Sequence, residues 1–292
     1  MQKIVPHLWF DKEAKEAAKF YTSIFDNSKI KSIKEIHNTP SGDVDIVSFE
    51  ILGYEFNAIS AGPYFKFNPS ISFHVKCKTT KEVDAIWEKL SKDGKVLMPL
   101  DKYPFSDRYG WIQDKFGVSW QIIFTKGEFK QGITPVLMFT NKVCGKTEEA
   151  LELYSKIFPN SKYQILSRYS KGEEPDKAGT VRYAHFFLEG QEFGAMDSAR
   201  EHAFNFNEAI SLIVNCKDQK EIDHYWKLSS VPQAEQCGWL KDKFGVSWQI
   251  VPIELNKLMS SGDKNKTAKV TEAFLEMKKF DISKLRAAFE KG

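Results

Sequence analysis

The nine residues DKFGVSWQI occupy Asp114–Ile122 and recur unchanged at Asp242–Ile250. A return after about 130 residues, far beyond the roughly 20–50 of solenoids and propellers, marks duplication of a whole domain rather than a stacking unit. The flanking matches keep the same order. PHLWF (6–10) answers PVLMF (135–139), YTSIFDNSKI (21–30) answers YSKIFPNSKY (154–163), GYEFNAIS (53–60) answers GQEFGAMD (190–197), and FNPSISFHVKC (67–77) answers FNEAISLIVNC (206–216). The chain therefore divides into a first domain over 1–126, a second over 133–256 and a tail over 266–292. The polar stretches TKGEFKQG (125–132) and SSGDKNKT (260–267) serve as joints.

Apolar periodicity supplies the elements of each copy. Ala14, Ala17, Ala18, Tyr21, Ile24 and Phe25 recur at three- and four-residue steps, as do Ala150, Leu151, Tyr154, Ile157 and Phe158, so a helix follows the first strand in both. A second helix carries Val83, Ile86, Trp87 and Leu90 in one copy and Ile222, Tyr225 and Trp226 in the other. Short alternating runs such as DIVSFEIL, YEFNAIS, SISFHVKC and VSWQIIF read as half-buried strands. Each copy reads β-α-β-β-β twice, an α+β arrangement with too few helices for a doubly wound sheet. In the tail, Val270, Ala273, Phe274 and Met277, then Leu285, Ala288 and Phe289, predict two short helices whose apolar stripes clasp the second domain or the repeat interface.

The 42 basic and 39 acidic side chains are dispersed, so a nucleic-acid surface is not expected. The N-terminus lacks the apolar core of a signal peptide, and no stretch reaches the ~20 apolar residues of a membrane span, which predicts a cytoplasmic protein without membrane partners. Cys77, Cys144, Cys216 and Cys237 contain no C-x-x-C pair and are expected as free thiols.

The segments GQEFGAMDS, FNEAISLIVNC, EIDHYWKLSS and EQCGWLKDKFGVSWQIVP, with the tail FLEMKKFDISKLRAAF, resemble the PhnB-like proteins, often described as 3-demethylubiquinone-9 3-methyltransferase domains. With the repeated β-α-β-β-β order they place the chain near the vicinal oxygen chelate superfamily, which includes glyoxalase I, bleomycin-resistance proteins and extradiol dioxygenases. The resemblance implies two tandem glyoxalase-like domains whose paired modules form cup-shaped sheets, with a divalent metal in the enzymes. It covers both repeats and is fuller in the second.

Metal-dependent relatives carry a glutamate where this chain has Gln121 and Gln249, and a neutral amide binds a cation weakly. By the same resemblance the other ligand positions fall on Pro6 and Pro135, on Ser70 and Ala209, and near Ala58 and Ala195, none a good ligand; only a slipped register would bring in His7 or His74. The expectation is thus a small-molecule binding protein with a metal-free cup and no cofactor. Gln249, Trp239, Asp197 and His185 are its candidate contacts, with Gln121 and Trp111 in the weaker cup, and no catalytic residue is assigned. His185 and Asp197, on successive strands, suggest an acid–base or ligand-orienting pair. Methyl transfer is not expected, because no two of the 17 glycines are separated by a single residue, as a nucleotide-binding turn requires. The alternatives are a metal-dependent lyase, isomerase or dioxygenase of the superfamily, and a non-catalytic interaction protein. The partner is expected to be a small organic ligand, the duplication imitating a dimer within one chain, with further homo-oligomers open.

Overall fold

The computed structural model describes residues 2–39 and 41–292. The first repeat runs β1 (Ile4–Phe10), α1 (Ala14–Ile24), β2 (Lys29–Thr39), β3 (Gly42–Ile51), β4 (Tyr54–Ser60), β5 (Ile71–Cys77), α2 (Thr80–Ser91), β6 (Lys95–Tyr103), β7 (Ser106–Gln113) and β8 (Ser119–Phe124). The second runs β9 (Ile133–Thr140), α3 (Thr147–Ile157), β10 (Lys162–Arg168), β11 (Val181–Leu188), β12 (Gln191–Ser198), β13 (Ile210–Cys216), α4 (Gln219–Tyr225), β14 (Trp239–Lys241) and β15 (Ser247–Pro252). Helix α5 (Ile253–Leu258) closes the second repeat, and the tail adds α6 (Lys264–Leu275) and α7 (Ile282–Glu290). The sheets mix parallel and antiparallel pairs, and the two expected tail helices form.

Two compact units result, one of Pro6–Ile210 and one of Met1–Val5 with Ser211–Gly292. In the larger unit an eight-stranded sheet runs β10-β11-β12-β9-β5-β8-β7-β6. It joins the second half of the first repeat to the first half of the second through the antiparallel pair β5–β9. The same unit holds β1 parallel to β4, followed by β3 and β2 in antiparallel order. Helix α1 buries Ala14, Ala17, Ala18, Tyr21 and Ile24, the stripe its spacing foretells. Tyr21 stacks on Phe49 of β3 and lies 5.2 Å from the Trp120 ring of β8.

The repeated nonapeptide is a turn closed by its own carboxylate. Asp114 Oδ1 accepts from the backbone N–H groups of Phe116 and Val118, and Oδ2 accepts from Trp120 Nε1 and from the Tyr21 hydroxyl, both at 2.8 Å. Asp242 repeats the pattern in the smaller unit, accepting from Phe244 N, Val246 N and Trp248 Nε1. Gly117 and Gly245 both sit at φ +90°, which a side chain rarely tolerates, so the glycine is as fixed as the aspartate.

In the smaller unit β13 runs parallel to β15 and β14 antiparallel to it, while Asn215 N donates to Lys3 O. The second-copy helix is shorter than its pattern suggests. Helix α4 ends at Tyr225, and two short 3-10 turns occupy part of the stretch before β14. The tail fills the space: Cys237 N and Gly238 N donate to Met277 O and Lys278 O, and Phe280 is 2% exposed. A side chain on Gly238 would meet the Phe280 ring at 2.3 Å. The tail therefore clasps the second repeat's last strands, the simpler of its expected roles.

Two outcomes follow. Asp114→Asn turns an amide N–H donor toward the donors of Tyr21 or Trp120, and urea unfolding should show a loss of about 2 kcal/mol. Phe280→Ala leaves a cavity beneath the tail costing about 3 kcal/mol, read as early proteolytic release of the residues after Lys278.

Candidate functional site

Side chains alternate along a strand, so the sheet of the larger unit has two unlike faces. Phe73 and Trp120 lie 5.3 Å apart on the face toward α1. Their neighbours His74 and Gln121 are opposite one another in register and face the other way. There His74 Nε2 and Gln121 Oε1 meet at 2.7 Å, the Tyr109 hydroxyl donates to the same oxygen at 2.6 Å, and Gln121 Nε2 donates to Ser72 Oγ at 2.7 Å. Because that oxygen can only accept, His74 carries its proton on Nε2, and Nδ1 accepts from the Tyr183 hydroxyl at 3.2 Å. The Tyr183 hydroxyl fills the space where a side chain on Gly194 would project, 2.7 Å from that virtual Cβ. Beside this chain Lys76 Nζ reaches both oxygens of Glu192 at 2.7 Å, and His185 Nδ1 lies 3.8 Å from Glu192.

The observed register corrects the assignment of ligand positions. Pro135 pairs with Phe73, Ala195 with Ala184 and Ala58 with Val47, so these residues lie with the apolar side. A slip of one residue exchanges faces, and it is His74 that faces Gln121. Of the six candidate contacts, Gln121 and Trp111 are register partners on β8 and β7, with Trp111 Nε1 donating to Ser119 Oγ. Gln249 and Trp239 are likewise partners on β15 and β14, and Gln249 Nε2 donates to Ser211 Oγ at 2.9 Å, as Gln121 does to Ser72. His185 and Asp197 are not brought together. His185 stands on the polar face, whereas the Asp197 carboxylate, 1% exposed, accepts from Gly145 N, Thr147 N and Thr147 Oγ1 at the start of α3 and from Val181 N at the start of β11. Burial raises its pKa against those four donors. Cys237 gains no thiolate character, since burial pushes its pKa up.

The metal expectation is overturned elsewhere. Glu35 and His37, two apart on β2, and Asp43 on β3 place one ligand atom each within 4.8 Å of one another. His37 Nδ1 lies 3.0 Å from Asp43 Oδ2, with the two side chains 60% and 55% exposed, so solvent and ions reach them freely. Glu35 opposes Asp45 in register, and Asp45 bonds Lys15 of α1 at 2.6 Å, so the cluster lies on the helix side of its sheet rather than the side bearing Ser48 and Asn57. A carboxylate–imidazole–carboxylate grouping is a donor set for a divalent cation, and it favours the metal-dependent alternative over a metal-free cup. The signal was present in the sequence as E-x-H before a hairpin turn and an aspartate just after it. Tyr109, Tyr183, Lys76 and Glu192 were also missed, and strand alternation in the right register would have found them.

Burial lowers the His74 pKa from 6.5 to about 4 against the opposing hydrogen bond with Gln121. A histidine held neutral by the fold favours the unfolded state on protonation, so its contribution is full above pH 6.5 and fades as pH falls toward 4. Wild type should lose about 3 kcal/mol relative to His74→Gln across that window, measured as diverging urea midpoints.

A search of curated proteins finds no match. Among solved structures, a Bacillus cereus PhnB protein is 41% identical over 42% of this chain and all of its own, with a TM-score of 0.40. A Staphylococcus aureus protein is 31% identical over 42% of this chain and 97% of its own, TM-score 0.18. Maize glyoxalase I, 11% identical, covers 89% of this chain and 97% of its own with a TM-score of 0.54, a likeness of fold. No described helix is long and apolar enough to cross a membrane. The profile described as 3-demethylubiquinone-9 3-methyltransferase matches twice, over residues 2–123 and 131–251, and the chain belongs to that family, a duplicated PhnB-like member of the vicinal oxygen chelate superfamily.

Proposed function

We propose that this protein is a metal-dependent member of its superfamily that holds one divalent cation through Glu35, His37 and Asp43. The observation that carries the reading is the convergence of their three ligand atoms within 4.8 Å. One imidazole nitrogen with two carboxylate oxygens suits zinc, manganese, iron or nickel. Three protein ligands leave positions for water and an oxygen-bearing substrate, and a cation there supplies Lewis-acid polarisation of that oxygen. The chain contributes the rest. Pairing of Ile36 with Val44 fixes the hairpin between the ligands, and Lys15 neutralises Asp45 beside them. The reaction class is that of the lyases, isomerases or dioxygenases, acting on a small organic substrate, with the duplicated chain standing in for a dimer. Four free cysteines fit a reducing, cytoplasmic setting.

Isothermal titration of chelator-treated protein with manganese or zinc tests the reading. One equivalent per chain is expected, weakened by more than about tenfold in His37→Ala and Asp43→Asn and unchanged in Gln121→Ala. Absence of binding, or equal binding in the His37→Ala/Asp43→Asn double variant, overturns it.

A further inference from the structure

A cleft of about 800 Å³ opens in the larger unit where the end of β1, the loop after β4, the α2–β6 turn and the β7–β8 loop converge. It lies apart from the polar face carrying His74 and Gln121, and none of the three candidate metal ligands lines it. Its walls are aromatic. Trp9 and Phe65 meet edge to face at 5.1 Å, and Phe10 holds Phe67 and Phe116 edge-on at 4.9 and 6.1 Å. Trp9 Nε1 is spent on Gly62 O at 2.9 Å, so the indole offers its ring rather than its donor.

The charges near the walls divide into spent and unspent groups. The Asp114 carboxylate is saturated by its four donors, and Lys115 is held by Glu16 at 2.8 Å over the rings of Phe20 and Phe116. At the rim Lys66, Lys95, Asp11 and Asp93 are exposed and Glu13 is half-buried with one oxygen accepting from Lys12 N, and none of the five has an ion-pair partner among the described residues. An aromatic-walled cleft bordered by two unpaired cations, Lys66 and Lys95, and three unpaired anions, Asp11, Glu13 and Asp93, is complementary to a flat body that carries both signs at its edge.

We propose that this cleft binds aromatic zwitterions of about dipeptide size. The volume lies within the roughly 300–1,000 Å³ usual for small-molecule sites, and a dipeptide with aromatic side chains brings one ammonium and one carboxylate to the rim while its rings enter the slot. The proposal stands on the cleft alone and does not need the cation on the β2–β3 hairpin.

Isothermal titration of the full chain with tryptophyl-phenylalanine, and with the same dipeptide acetylated and amidated at its ends, tests it. The zwitterion should bind, and capping, Trp9→Ala or Lys66→Glu should each weaken it by about tenfold, the scale of one ring contact or one charge pair. Because Lys66 is exposed, its variant keeps the test readable should Trp9→Ala fail to fold. Binding that persists in His37→Ala supports the cleft whether or not the metal reading survives. No binding by wild type, equal binding of the capped dipeptide, or loss of binding in His37→Ala overturns the proposal.

Discussion

A carboxylate saturated by neutral donors is the constraint on which each repeat depends. Asp114 gathers two backbone amides, an indole and a phenol around one side chain that is 4% exposed, and so fixes a turn, a strand and a helix at once. Burial still raises its pKa to about 6, the cost of carrying the charge inside. Asp242 does the same for Trp248 with no exposed surface at all. Identity of Asp, Gly and Trp across the duplication thus has a structural cause: the carboxylate and the indole bond one another in each copy, and the glycine holds a backbone angle that a side chain rarely tolerates.

The duplication, the α1 stripe and the tail helices were legible because they rest on spacing, which sequence states directly. Sheet partners were not, since the antiparallel join of β5 to β9 brings together strands from different repeats. Local pattern contains no term for such a pairing. The faces were legible only where a large apolar residue pointed the way. Trp120, fully buried toward α1, leaves Gln121 to the far side by alternation, but Ala58, Ala195 and Pro135 carry little that distinguishes one face from the other, and a one-residue error put all three on the wrong side. Asp197 misled for another reason. An acid on a strand reads as functional, whereas here it serves α3 and the backbone at Val181.

The same economy of charge separates the polar sheet face from the hairpin. On the sheet, Gln121 uses both ends of a neutral amide and Lys76 cancels Glu192, leaving little net charge in a buried place. On β2 and β3, Glu35, Asp43 and Asp45 collect negative charge in water, opposed by Lys15 and by His37 when protonated. A hard cation is better matched to the second environment, where anionic oxygens converge in contact with solvent.

The chain of Tyr109, Gln121, His74 and Tyr183 is built from both repeats but occurs in one sheet. The sequence counterparts of Tyr109, His74 and His185 are Cys237, Ile213 and Ser48. In an assembly of two identical chains, every such substitution would appear twice, once in each sheet. A covalent tandem is released from that obligation, so a tyrosine and a histidine can meet in one sheet while the equivalent positions of the other repeat carry different side chains.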